Sequence, residues 1–292
     1  MSFLDRVRRC NHRDLARYVP FAADGRQLGW ITPARADVLL GFSKVFTPLA
    51  HQATRPGGVT FVADLDTPEA RSAAVAALLP RLPPDLFAKP RNEIYGVKNQ
   101  WSEPAAFTID RALVPAIGAR AFGVHLNGYV KRGGEFLLWI GTRAMDLRVE
   151  PGKRDNMVAG GQPAGLSLMD NLVKECAEEA HLPEALARRA SSAGAIRYAF
   201  DAPEGLRMDT LFCYDLAVPE DFVPQPSEEI SRFDLLPVHE VLALVRDTEA
   251  FKFNVGLVIL DFAMRHGLIG PDSEPDFEAI AMGLRQSPQP IV

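Results

Sequence analysis

Three glutamates stand together in the run Lys174-Glu175-Cys176-Ala177-Glu178-Glu179. At 100° per residue on a helix, Glu175, Glu178 and Glu179 share an arc of about 100°, while Met169, Val173, Cys176 and Ala180 form a separate apolar face. Carboxylates at i, i+3 and i+4 repel one another, at a cost of roughly a few tenths of a kcal/mol per pair. A hard divalent cation relieves that repulsion. Oxygen donors suit Mg²⁺, with Mn²⁺ as the alternative, and Mg²⁺ is commonly held by a few carboxylates plus the phosphates of its substrate. A solvated acidic helix face has the same pattern, so the flanking residues have to decide between the two.

Upstream, Gly160-Gly161-Gln162-Pro163-Ala164-Gly165 leads to Ser167, which can cap a helix running to Ala180, with Asp170 three positions on as its partner. Gly160 and Gly161 leave backbone N–H groups open to phosphate, although such a pair also makes an ordinary turn. Arg143, Arg148, Lys153 and Arg154 precede the loop. Arginine binds phosphate through its fork and lysine as a point charge, so Arg143 and Lys153 are the expected diphosphate contacts, against a plain surface role. Downstream, Glu228 and Glu229 in PSEEIS are loop acids that either accept a proton from attacking water or cap a turn.

This stretch resembles the Nudix hydrolase signature, G-x5-E-x7-R-E-U-x-E-E-x-G-U with U aliphatic. The register is gapless from Gly160 through Glu175, Cys176, Ala177, Glu178 and Glu179 to Leu182. Leu166 replaces the first Glu, Lys174 the Arg, and His181 the last Gly. The wording PGKRDNMVAGGQPAGLS and DNLVKECAEEA, with IYGVKNQWSEPAAFTIDR before it, is similar to the DUF4743-type branch related to the thiamine pyrophosphokinase amino-terminal region. That branch's wording accounts for Leu166 and Lys174.

The resemblance implies an α/β (α+β) protein: a Nudix-type α/β/α sandwich with a mixed sheet over residues 116–292, after a small α/β amino-terminal domain with linker over 1–115. It further implies a metal site at Glu175, Glu178 and Glu179, catalysis by these with Glu229, and substrate contacts from Arg143, Lys153, Gly160 and Gly161. The implied substrate is a small-molecule diphosphate, oxo- or oxythiamine diphosphate. A nucleoside diphosphate derivative, a dinucleotide, or a non-catalytic Nudix-fold binding module are the alternatives.

The elements read accordingly. Strands are expected at Gln27–Thr32, Val59–Leu65, Phe122–Val130, Glu135–Thr142, Gly194–Phe200, Arg207–Ala217 and Arg232–Leu236. Lys131-Arg132-Gly133-Gly134 joins two of them as a hairpin. Helices are expected at Arg35–Phe46, from Thr67 to Leu79, at Val238–Val245 and at Phe251–His266, with a proline-rich linker from Pro80 to about Ala119. Trp101, Trp139 and Tyr129 are read as core in preference to stacking platforms, and His125 as a satisfied strand residue.

With 292 residues, 47% hydrophobic and 24% charged, the chain has length for a large core and no disordered composition. A net charge of −5 gives no global pull toward nucleic acid. Cys10, Cys176 and Cys213 fit neither a disulfide framework nor a zinc spacing. The start lacks a signal-peptide run, Asp5 and Asp14 count against a transit peptide, and Val255–Met264 is too short to span a bilayer, so a cytoplasmic protein without membrane partners is expected. Oligomeric state is left open, a homodimer included.

Overall fold

The computed structural model describes residues 2–49 and 57–288. Helix α1 (Phe3–Arg9) opens at a capping box in which Ser2 Oγ accepts the Asp5 N–H and the Asp5 carboxylate accepts the Ser2 N–H. Strands β1 (Val19–Ala23), β2 (Arg26–Ile31), β3 (Phe46–Leu49) and β4 (Gly58–Phe61) form a sheet ordered β2-β1-β4-β3. Helix α2 (Pro33–Leu40) stops at Gly41, six residues short of the expected helix, because Phe46 is needed opposite Phe61 in the β3–β4 pair. Helix α3 (Pro68–Leu78) starts as expected, with Thr67 Oγ1 accepting the Ala70 N–H and Pro68 in the first turn.

Where a linker was expected, the chain makes a hairpin of β5 (Ile94–Val97) and β6 (Phe107–Asp110). Tyr95 and Val97 point inward while Ile94 is exposed, the period-2 pattern of a half-buried strand. The prolines around this short pair had masked the pattern.

The central sheet is mixed. Strands β7 (Arg120–Arg132) and β8 (Glu135–Arg143) form the expected hairpin, with Gly133 and Gly134 at φ 58° and 89° in its turn. Then come β9 (Arg154–Asp155), β10 (Val158–Gly161), helix α4 (Leu168–Ala180), the short α5 (Glu184–Ala187), β11 (Ser191–Ala202), β12 (Gly205–Ala217) and β13 (Ile230–Pro237). The order is β11-β12-β7-β8-β13, with β12 parallel to β7, β10 antiparallel to β7, and β9 antiparallel to β8. Helices α6 (Val238–Asp247), α7 (Val255–Arg265) and α8 (Phe277–Gly283) close the chain.

Alternation along the strands divides the interior. Phe136, Leu138 and Ile140 of β8 face a core with α6 and α7, whereas Trp139 faces the core under α4 with Leu172, Cys176 and Ala180. The result is the expected α/β/α sandwich. A separate core holds the four-stranded sheet, α3 and the β5–β6 hairpin. Phe3, Leu4, Val7 and Cys10 do not join it; α1 packs with α6, α7 and α8 at the far end of the chain.

Candidate active site

Helix α4 is tied to β10 at two levels. Asn171, fully buried, donates from Nδ2 to the Gly161 carbonyl at 2.8 Å, and Glu179 accepts the Ala159 N–H at 2.8 Å. Its start follows the expected cap, Ser167 Oγ accepting the Asp170 N–H at 3.1 Å. These bonds fix which way the acids point.

The three acids do not share one exposed face, which corrects the helical-wheel expectation. Glu178 is exposed and Glu175 half-buried, but Glu179 is only 4% accessible. Leu172, Cys176 and Ala180 form the innermost stripe, so the acidic arc begins in the core and ends in solvent. Burial raises the Glu175 carboxyl above the usual carboxylate range, Lys174 opposes the rise, and Glu178 and Glu229 add to it. Burial pushes Glu179 up much further, against the pull of the Ala159 N–H, and Asp155, Glu175 and Glu229 reinforce the rise.

The donor set fits a hard divalent ion. All three groups offer oxygen, and a cation already lies between two of them: Lys174 Nζ is 2.7 Å from Glu178 Oε2 and 3.3 Å from Glu175 Oε1. As they stand, no three acid, histidine or cysteine side chains among the described residues group tightly enough to hold a metal ion. A dication would relieve the carboxylate repulsion that adds to the effect of burial on Glu175 and Glu179.

Glu175, Glu178 and Glu179 border a cleft of about 450 Å³, within the range of roughly 300–1,000 Å³ usual for small-molecule sites. Glu229 enters it from the loop before β13, its carbonyl accepting the Ala144 N–H at 2.8 Å; Glu228 does not line it. Gly160 and Gly161 also line the cleft, and each lacks a side chain for a steric reason. A Cβ on Gly160 would collide with the Glu175 carboxyl, and one on Gly161 with the Tyr95 hydroxyl.

The two expected phosphate cations are placed differently. Arg143 borders the cleft but is only 8% accessible, and its guanidinium is taken up by Asp155 Oδ2 at 3.0 Å and the Val149 carbonyl. Lys153 does not line the cleft: its ammonium donates to the Glu249 carbonyl, the Pro151-Gly152 turn having carried it toward the segment between α6 and α7. Arg154 stays outside the cleft, while Arg148 lines it.

Cationic groups that the sequence reading passed over stand there instead. Arg91 and Arg111 come from the hairpin region of the amino-terminal unit, Arg207 from β12, and Lys252, which donates to Asp155 Oδ2 at 3.2 Å, from before α7. Alternation in β5 could have flagged Tyr95; nothing in the sequence marks Arg91. Trp139 and Tyr129 pack as expected in the cores, and Trp101 sits edge-on against Phe122 and Phe212.

His125 also lines the cleft, opposite Ala159 in the β7–β10 register. Asn156 Nδ2 donates to Asn127 Oδ1 at 3.0 Å, which leaves Asn156 Oδ1 to accept from His125 Nδ1 at 2.8 Å. Nδ1 is therefore the nitrogen that carries a proton in this bond. Burial, with Lys252 nearby, lowers the His125 pKa to about 4.

Residues 2–121 match the family described as Domain of unknown function (DUF4743). Nudix hydrolase 20, chloroplastic, of Arabidopsis thaliana is 40% identical over 280 residues, 93% of this chain and 75% of that protein. Nudix hydrolase 24, chloroplastic, of the same plant is 42% identical over 276 residues, 93% of this chain and 74% of its own length. The chain belongs to the Nudix hydrolases.

In this Nudix hydrolase each box departure has a defined local setting. His181, where the signature has Gly, caps α4 in the left-handed conformation at φ 52° and ψ 33°, the backbone state that favours glycine. Lys174, where the signature has Arg, turns to Glu178 and Glu175. Leu166 contributes its carbonyl, which accepts from Gln162 Nε2 at 2.9 Å.

Proposed function

We propose that this Nudix hydrolase cleaves the P–O–P bond of a thiamine diphosphate-like compound, the oxo or oxy form, with water, giving the monophosphate and inorganic phosphate. The observation that carries the diphosphate chemistry is the placement of Glu175, Glu178, Glu179 and Glu229 in one cleft with arginines from the amino-terminal unit. The thiamine-type moiety is supported by the wording of the box and of the amino-terminal unit.

Glu175, Glu178 and Glu179 would hold Mg²⁺. When bound, such an ion neutralises phosphate oxygens and acidifies the attacking water. Glu229, exposed and lining the same cleft from the loop before β13, would accept a proton from the attacking water. Glu179 fixes the distance between α4 and β10 through the Ala159 N–H. The cationic wall would hold the diphosphate.

The test is a comparison of kcat/KM for oxothiamine, oxythiamine and thiamine diphosphates, ADP-ribose, NADH and nucleoside diphosphates. The proposal expects the oxo and oxy forms to rank first. A nucleotide ranking first would retain the chemistry and replace the substrate.

A further inference from the structure

Three arginines in the cleft need a reason to be there together. Arg91 and Arg111 belong to the amino-terminal unit and Arg148 to the loop after β8, yet all three line the cleft that holds Glu175 and Glu178. No hydrogen bond or ion pair engages the guanidinium of Arg91 or Arg148 among the described residues. Arg111 has one carboxylate partner, Glu93 at 2.7 Å, and its guanidinium lies 5.6 Å from the Tyr95 ring centre. Partial desolvation by the cleft lowers the pKa of Arg91, whose side chain keeps solvent contact, and the charges of Arg111, Arg148 and Arg207 lower it further, with Glu93 opposing. Arg207 is itself held by Asp209 at 3.0 Å.

Like charges of this kind spread apart on an ordinary surface, but here the backbone holds them in place. Asp110 is 2% accessible and spends its carboxylate on local backbone: it accepts the N–H groups of Arg91, Asn92 and Ala112 at 2.8 to 3.0 Å. Asn92 is held at φ 61°, a left-handed state that costs energy for a residue with a side chain. The Arg111 N–H donates to the Glu93 carbonyl at 2.7 Å. One buried acid therefore pins both arginine-bearing turns. Register with the acidic helix is kept at β10, where the bare Cα of Gly161 admits the Tyr95 hydroxyl and brings the Arg111 guanidinium carbon within 3.2 Å of the place a Cβ would occupy.

We propose that Arg91, Arg111 and Arg148 form an anion subsite, two of its three arginines supplied by the amino-terminal unit, that takes the terminal phosphate of the diphosphate substrate. The subsite rests on the proposal that this cleft hydrolyses diphosphates, and it gives the amino-terminal unit a part in substrate binding. The guanidinium fork suits the paired oxygens of a phosphate, and two of the three forks have no competing partner. Asp110 is a positioning residue for it.

The test is calorimetric titration of inorganic pyrophosphate into the full chain in EDTA, alongside KM and kcat measured with Mg²⁺. Arg91 and Arg148 are exposed, so Arg91→Ala/Arg148→Ala leaves the melting temperature unchanged. The double variant is expected to bind pyrophosphate about 10-fold or more weakly and to raise KM with little change in kcat. Arg111→Lys, which keeps the charge and loses the fork, is expected to lie between it and the parent. Equal pyrophosphate affinity in parent and double variant overturns the subsite, as does a parent that binds no pyrophosphate. If no diphosphate is hydrolysed but the double variant still loses pyrophosphate binding, the subsite stands and the proposed reaction falls.

Discussion

Glu178 and Glu179 are neighbours in the chain and differ in everything that decides a mutant's behaviour. Glu178 is exposed and paired with Lys174, so Glu178→Gln is expected to lower kcat about 100-fold or more and leave the urea midpoint unmoved. A shifted midpoint would make the residue structural. Glu179 is buried with a raised pKa, and Gln can still accept the Ala159 N–H. Glu179→Gln is therefore expected to abolish activity while the metal-free melting temperature stays level or rises; a fall of several degrees would contradict this. For His125, the folded pKa of about 4 lies below the ordinary 6.5, so the unfolded chain binds a proton the folded one refuses. Its contribution is whole above pH 6.5 and is lost as the pH falls toward 4, about 2 kcal/mol being gone by pH 5. Urea midpoints at pH 7.5 and pH 5 should thus separate less in His125→Gln than in the parent; equal separation would refute the assignment. The sequence shows which acids are present, but accessibility depends on how far α4 rolls against β10, and Asn171 and Glu179 set that roll from positions with no composition signal.

At the scale of elements, the long runs with clean periodicity were legible: the β7–β8 hairpin, α4 with its Ser167 cap, α3 with Thr67 and Pro68, and the β11–β12 pair all lie where the residues place them. Short elements were not. The β5–β6 hairpin is four residues a side among prolines, and β9 and β10 exist only because β7 and β8 offer partners. That hairpin region also carries Arg91 and Arg111, which line the cleft. The end of α4 gives a sharp expectation. His181 is exposed at φ 52°, so His181→Gly should remove left-handed strain and raise stability by about 1 kcal/mol. The check is the urea midpoint, and an unchanged or lower value would mean the His181 side chain stabilises the cap in some other way.

At the scale of the molecule, the amino-terminal unit both walls the cleft and, through α1, completes the opposite core. Phe3, Leu4 and Val7 sit among residues of α6, α7 and α8, and a Cβ on Gly283 would run into Val7. Such long-range packing has no local signature in the sequence. Leu4 is 5% accessible, so Leu4→Ala is expected to cost about 2–4 kcal/mol in urea unfolding, although it lies far along the chain from every residue of the acidic helix. A cost below about 1 kcal/mol would mean α1 is only laid on the surface. Under the proposed reading, the acidic helix makes this cleft a metal-dependent diphosphate hydrolase. The most direct measurement is phosphate release from oxythiamine diphosphate by the parent and by Glu178→Gln, each with Mg²⁺ and with EDTA. Release by the parent with Mg²⁺ alone, lost in the variant, is the predicted result; release that survives EDTA, or a variant as fast as the parent, would contradict it.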